Sequence, residues 1–122
     1  MGALHAGHLS LIHRARQEND RVVVTIFVNP LQFGPGEDLD SYPRTLDKDL
    51  ETCAAAEVDA VFCPRPQTLY GQSQPEAPAL TQVLPATELV DHLCGPHRPG
   101  HFPGVTTVVA KLLNLVQPDR AY

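Results

Sequence analysis

The fold is read from Met1-Gly2-Ala3-Leu4-His5-Ala6-Gly7-His8, which runs into Leu9-Ser10-Leu11-Ile12-His13-Arg14-Ala15-Arg16 and, past Asn19-Asp20, into Arg21-Val22-Val23-Val24-Thr25-Ile26-Phe27-Val28. Apolar side chains at 9, 11, 12 and 15, with Arg14, Arg16 and Glu18 between them, predict an amphipathic helix over 9–18. The β-branched run 21–28 does not alternate, which predicts a strand covered on both faces, as in a parallel sheet. Loop, helix and buried strand in that order make half of a doubly wound α/β unit. The strand that would precede the helix is not represented, so the α/β domain is expected to be incomplete at its start.

The loop itself reads as a phosphate-handling turn that opens a helix. His5 and His8 are three apart, and positions i and i+3 share a helix face, so both rings can point from the first turn into one cleft. Exposed backbone N–H groups and the positive end of the helix dipole favour an anion there. Gly2 permits a tight turn, and Gly7 lets a flat ligand approach the backbone. Two imidazoles can donate to the negative charge that spreads over a phosphoryl transition state. The pattern implies a nucleotide site, although H-x-G-H alone is short enough to arise by chance.

The 122 residues suffice for one domain, or for a piece of a larger one. A formal charge of -5, with 9 Lys and Arg against 14 Asp and Glu, provides no basic face for a nucleic-acid backbone. No apolar run approaches the roughly 20 residues of a membrane helix, and no basic-then-apolar leader opens the chain. A cytoplasmic protein is expected. Cys53, Cys63 and Cys94 are odd in number and irregularly spaced, which predicts reduced, largely buried thiols. His92, Cys94, His97 and His101 crowd together without paired ligand spacing, so zinc is not the favoured reading.

After the first strand, residues 29–38 are rich in turn formers. Loops beyond strand C-termini line the ligand crevice of open α/β sheets, which places Asn29 and Gln32 where a polar substrate would sit. For Gln32 a substrate contact is the better reading, whereas for Asn29 alone the better reading is a turn cap. Thr45 is the expected N-cap of a helix over 46–56 with Leu46, Leu50, Cys53 and Ala54 inward. Asp47, Asp49 and Glu51 are assigned to the helix dipole rather than to a metal. A second buried strand follows over Val58–Pro64, then a surface loop over Arg65–Pro78. An edge strand is expected at Leu80–Leu84 and a short helix at Glu88–Cys94. Residues 95–104 form a glycine- and proline-fixed loop whose Arg98 is a candidate for a carboxylate or phosphate contact. A core helix spans Val105–Val116, with Val105, Val108, Val109, Leu112, Leu113 and Val116 as its stripe. It is stopped at Gln117-Pro118, and Arg120–Tyr122 begins another strand.

The motifs M-G-A-L-H-x-G-H, I-F-V-N-P-L-Q-F-G-P-x-E-D, Y-P-R-T, R-P-G-H-F-x-G-V-x-T-V-V-A-K-L and V-Q-P-D-R-A-Y follow one another along the whole chain. Together they resemble the pantoate-β-alanine ligases, or pantothenate synthetases. The resemblance implies a Rossmann-like domain of the nucleotidyltransferase superfamily with a parallel sheet. It implies condensation of (R)-pantoate with β-alanine, with ATP going to AMP and pyrophosphate through a pantoyl adenylate. Met1, Gly2, Ala3, Leu4, His5, Ala6, Gly7 and His8 match the ATP-binding signature, with His8 as proton donor and His5 at the phosphates. Gln32 matches the glutamine that holds pantoate, Asn29 lines the same pocket, and Arg98 and His101 fall in the R-P-G-H-F loop. Mg2+ is implied by the ATP chemistry with no ligand assignable, and a homodimer is implied for the full-length enzyme.

Where the family carries an acidic residue before R-P-G-H-F, this chain has Cys94. The family's strand and Pro-Thr before the first motif, its F-G-x-K-D continuation and its C-terminal domain are not represented. The chain is therefore expected to be part of the N-terminal nucleotide- and pantoate-binding domain, inactive by itself. Two other classes fit the motifs less fully: a nucleotidyltransferase that stops at nucleotide transfer, and a non-catalytic nucleotide-binding module.

Overall fold

A computed structural model describes residues 1–71 and 80–122. The chain forms two compact units, each made of discontinuous segments.

The first unit comprises Met1–Val28, Pro43–Pro64 and Pro118–Tyr122. It holds helix α1 (Ala6–Glu18), strand β1 (Val23–Thr25), helix α2 (Leu46–Ala55) and strand β2 (Ala60–Phe62). The two strands pair in parallel, Val23 opposite Ala60 and Thr25 opposite Phe62, so β1, α2 and β2 form a crossover unit of the expected α/β class. Ile12 and Ala15 of α1 are buried, as are Val22, Ile26 and Phe27 beside β1 and Cys53 and Ala56 at the end of α2. Asp59 sets the register. Its carboxylate accepts from the Val22 N–H at 2.8 Å, from Arg16 at 2.5 Å and from Arg21 at 2.6 Å. Those bonds, the Val22 N–H first, hold its pKa well below the usual carboxylate range. Arg16 also donates to the Asn19 and Asp20 carbonyls, closing the C-terminal end of α1.

Both strands are shorter than the apolar runs that predicted them, and β1 is not covered on both faces: Val23 is 43% exposed. Regular pairing on β1 ends with the Ile26 N–H donating to the Phe62 carbonyl, three residues before Asn29-Pro30, and Arg120–Tyr122 makes no strand. The inner face of α2 also differs from expectation. Leu46 and Leu50 are 44% and 40% exposed, and Ala54 is exposed, while Asp49 and Cys53 face inward. The inward turn at Asp49 has a polar cause, given below. Of the three thiols, Cys53 is buried, Cys94 half-buried and Cys63 exposed, so burial is not general.

The second unit comprises Asn29–Tyr42 and Arg65–Gln117. It holds a 3-10 turn at Pro30–Gln32, the short helices α3 (Pro66–Tyr70) and α4 (Thr87–Val90), a 3-10 turn at Gly95–His97 and helix α5 (His101–Val116). Residues 65–71 of the expected surface loop thus include a helical turn that buries Leu69, and residues 72–79 lie outside the described residues. No strand forms at 80–84. The Val83 N–H donates to Thr107 Oγ1 at 3.0 Å and its carbonyl accepts from Thr106 Oγ1 at 2.5 Å, so hydroxyls on α5 take the groups that a strand partner would have used.

Helix α5 begins four residues before the expected start. Gly100 caps it in the left-handed region (φ 83°), and Pro103 falls in the first turn, where its missing N–H would have had no intrahelical acceptor. The buried face is Gly104, Thr107 and Val108, rotated from the expected stripe, with Val109 and Leu113 exposed. Small residues are needed because the Pro30–Gln32 turn lies directly on Gly104. A Cβ there would stand 2.3 Å from the Leu31 carbonyl oxygen and 2.8 Å from the Gln32 nitrogen. Helix propensity alone favours Gly104→Ala by about 1 kcal/mol, but the obstructing atoms are backbone. The contact should dominate: Gly104→Ala is expected to lower the unfolding free energy by roughly 1–3 kcal/mol, read as a lower urea midpoint.

Candidate active site

In the first unit the Met1–His8 loop is built around a carboxylate. Gly2 (φ 84°) and Ala3 (φ 51°) are both left-handed, which turns two successive backbone N–H groups to the same side. Ala3 N–H donates to Asp49 Oδ2 at 2.9 Å and Leu4 N–H to Asp49 Oδ1 at 2.8 Å. Thr45 Oγ1 donates to the same carboxylate at 3.2 Å, and Asp49 is only 2% exposed. Thr45 stands at the N-cap position of α2 but makes no side-chain cap to the helix, because its hydroxyl serves Asp49. Asp49, assigned above to the helix dipole, is thus the buried acceptor for the loop. Its sequence signal was its place four residues before buried Cys53, inside the apolar stripe of α2.

His5 is the N-cap of α1 and His8 its third residue, so only His8 lies within the helix. The two form a reciprocal capping box. His5 Nδ1 accepts from the Gly7 N–H at 3.1 Å, and His8 Nδ1 accepts from the His5 N–H at 3.3 Å. With each Nδ1 accepting, each neutral ring carries its proton on Nε2. The rings stand together, centroids 4.1 Å apart. Burial first, and then His5, holds the His8 imidazole below its ordinary value.

One expectation is corrected here. The backbone N–H groups of Ala3, Leu4, His5 and Gly7 all meet protein acceptors, so they are not left exposed for an anion. A Cβ on Gly7 would meet the His5 ring at 3.0 Å. The donors the loop offers are the two Nε2–H groups at the positive end of α1.

In the second unit Asn29 is 1% exposed. Its Oδ1 accepts from the Leu31 N–H at 3.2 Å and from Tyr70 Oη at 2.7 Å. Its Nδ2 donates to the Gly104 carbonyl at 3.0 Å and to Gln32 Oε1 at 3.2 Å. The Asn29 amide is thus filled by protein partners, as the turn-cap reading expected, and it orients Gln32. Burial pushes the Tyr70 hydroxyl up to about 12.

The Gln32 carbonyl accepts from His101 Nδ1–H at 2.7 Å and from Arg98 at 3.4 Å. Arg98 is held in turn by a fork of two bonds to Glu37, Nε to Oε1 and Nη2 to Oε2, each 2.7 Å. Glu37 supplies the largest upward push on the Arg98 guanidinium. Arg98 therefore acts on the Gln32 backbone within this unit, with its charge already paired. Nothing in the order of residues pointed to Glu37, which lies 61 positions from its partner. Among the described residues no group of three or more His, Cys, Asp or Glu side chains could hold a metal ion, and no helix is long and apolar enough to cross a membrane.

The family model for pantoate-beta-alanine ligase matches residues 1–122. The chain belongs to that family. Its relatives include the bifunctional pantoate ligase/cytidylate kinases of Synechococcus elongatus, 62% identical over 122 residues, and of Acaryochloris marina, 60% identical. All of this chain is covered in both comparisons, but it spans only 23% and 22% of those relatives' lengths. Among solved structures, pantothenate synthetase from Thermus thermophilus superposes with a TM-score of 0.90 at 53% identity, covering all of this chain and 42% of that one. Pantoate-beta-alanine ligase from Francisella tularensis, solved with β,γ ATP and β-alanine, gives 0.88 at 44% identity, covering 98% and 44%. The α/β architecture and parallel strand pair are consistent with the Rossmann-like nucleotidyltransferase fold expected for this pantoate-β-alanine ligase family.

The Arg98 fork predicts an acid-dependent stability. Its two bonds, and then the Gly34 N–H, draw the Glu37 carboxyl from 4.5 down to about 2. As pH falls, the unfolded chain takes up this proton first. The contribution is whole above 4.5 and is lost as pH falls through the folded value of about 2. Glu37→Gln is expected to flatten the unfolding free energy against pH in that window, measured by urea titrations at successive pH values.

Proposed function

We propose that this chain supplies the nucleotide- and pantoate-binding part of an ATP-dependent ligase that joins (R)-pantoate to β-alanine. The observation that carries the reading is the His5 and His8 pair, whose Nδ1 atoms accept backbone N–H groups so that both Nε2–H groups serve as donors at the start of α1. Membership of the family supports it.

In this reading a pantoate carboxylate oxygen attacks the α-phosphorus of ATP, the bond to pyrophosphate breaks, and a pantoyl adenylate forms. The amine of β-alanine then attacks the acyl carbon, loses a proton and expels AMP. Residues Met1 to His8 bind ATP. The Nε2–H groups of His5 and His8 stabilise charge spreading over the phosphates, with His8 donating to the leaving group. Gln32 binds pantoate, and Asn29 and Arg98 hold it in place through its side chain and its carbonyl respectively. Mg2+ enters bound to ATP as part of the substrate. The described residues include no cluster fit to hold it, so no ligand is assigned and no step is routed through it. The full-length enzyme is a cytoplasmic homodimer in this reading.

With the full-length polypeptide that carries this sequence, AMP release from ATP and Mg2+ is expected only when pantoate and β-alanine are both present. Release without an amine would replace the ligase with a simple nucleotidyltransferase. His8→Ala is expected to lower kcat by roughly 10²–10³-fold, followed as AMP formed at saturating substrates.

A further inference from the structure

Resting on the nucleotide reading of the His5 and His8 loop, we propose that Asp49 is a positioning residue for ATP: its buried carboxylate sets the loop conformation that aims both imidazoles. Left-handed backbone is costly for a residue with a Cβ, and Ala3 adopts it with φ 51°. What holds it there is the pair of bonds from Ala3 N–H and Leu4 N–H to the two oxygens of Asp49, at 2.9 and 2.8 Å. The next residue in the chain is His5, whose own N–H fixes the His8 ring through Nδ1.

Asp49 therefore acts on both donors through three consecutive peptide units, without having to touch the nucleotide. Gly2 is part of the same device. A Cβ there would stand 3.0 Å from Asp49 Oδ2 and 3.3 Å from Ile26 Cγ2, so only glycine lets the carboxylate seat under the turn.

The device makes a prediction that a purely structural carboxylate does not. Asn at 49 keeps the shape but presents one acceptor oxygen and an NH2 group to two N–H donors, so one of the two bonds is lost and the left-handed turn at Ala3 is no longer held by both. Glycine at position 3 removes the cost of the left-handed conformation and should let the loop return to it without the carboxylate.

The experiment uses the full-length polypeptide, with ATP binding measured by calorimetry and AMP release measured under ligase conditions, for the wild type, Asp49→Asn, Ala3→Gly and the double variant. Asp49→Asn is expected to weaken ATP binding and raise the KM for ATP by roughly tenfold, with the KM for pantoate unchanged. The double variant is expected to recover at least a third of that loss. ATP affinity and KM at wild-type values in a folded Asp49→Asn protein overturn the proposal, as does a loss that Ala3→Gly leaves untouched. If Asp49→Asn does not fold, Thr45→Val decides. It removes only the hydroxyl that steadies Asp49 Oδ2, and a rise of about twofold or more in the ATP KM supports the proposal while an unchanged value overturns it. Failure of the functional reading is seen separately, as absence of pantoate- and β-alanine-dependent AMP from the wild type.

Discussion

A carboxylate removed from water must find donors, and in this chain Asp49 finds them in the backbone of the N-terminal loop. The Ala3 and Leu4 N–H groups and the Thr45 hydroxyl all point at it. That requirement explains features that otherwise look unrelated. It fixes why glycine stands at position 2, why an alanine tolerates a left-handed backbone, why Thr45 gives up its helix cap, and why α2 turns a polar residue inward while Leu46 and Leu50 stay partly exposed. Unpaired, the same carboxylate would destabilise the unit by the full cost of its desolvation. Paired, it converts burial into a defined loop geometry.

The second unit solves a related problem with different groups. The turn that carries Gln32 is held at its side chain by Asn29 and at its carbonyl by His101 and Arg98. Arg98 in turn is oriented by Glu37, and Asn29 by Tyr70. The turn can lie against α5 because position 104 has no side chain. In both units the candidate site residues are held by polar, specific contacts from neighbouring groups.

This pattern bears on how the family motifs are understood. H-x-G-H reads most simply as two imidazole donors separated by two small residues. In the folded chain its members first satisfy one another, with Nδ1 atoms replacing the Ser and Glu oxygens of an ordinary capping box. The same bonds fix which nitrogen of each ring carries the proton. Arg98 shows the converse: a cation in a rigid loop suggests an anionic ligand, yet here it completes an ion pair within the protein and acts on a backbone carbonyl.

The sequence by itself determined the α/β class, the order of helix, strand, helix and strand, the long final helix with its stop at Gln117-Pro118, and the motifs that mark the family. These depend on local patterns: apolar periodicity, β-branched runs and turn formers act over a few residues and survive in any context. Helix and strand ends were less legible. Gly100 to Gly104 reads as loop, although proline is harmless in a first helical turn, and the 80–84 segment reads as strand, although hydroxyls of Thr106 and Thr107 take its backbone groups. Only the tertiary structure decided which face of α2 and α5 is buried, that Asp49 belongs to the His5 and His8 loop, and that Glu37 is the partner of Arg98. Those facts join residues 45 to 61 positions apart. A hydrogen bond between distant residues is set by where the backbone brings them, and no spacing along the chain encodes it.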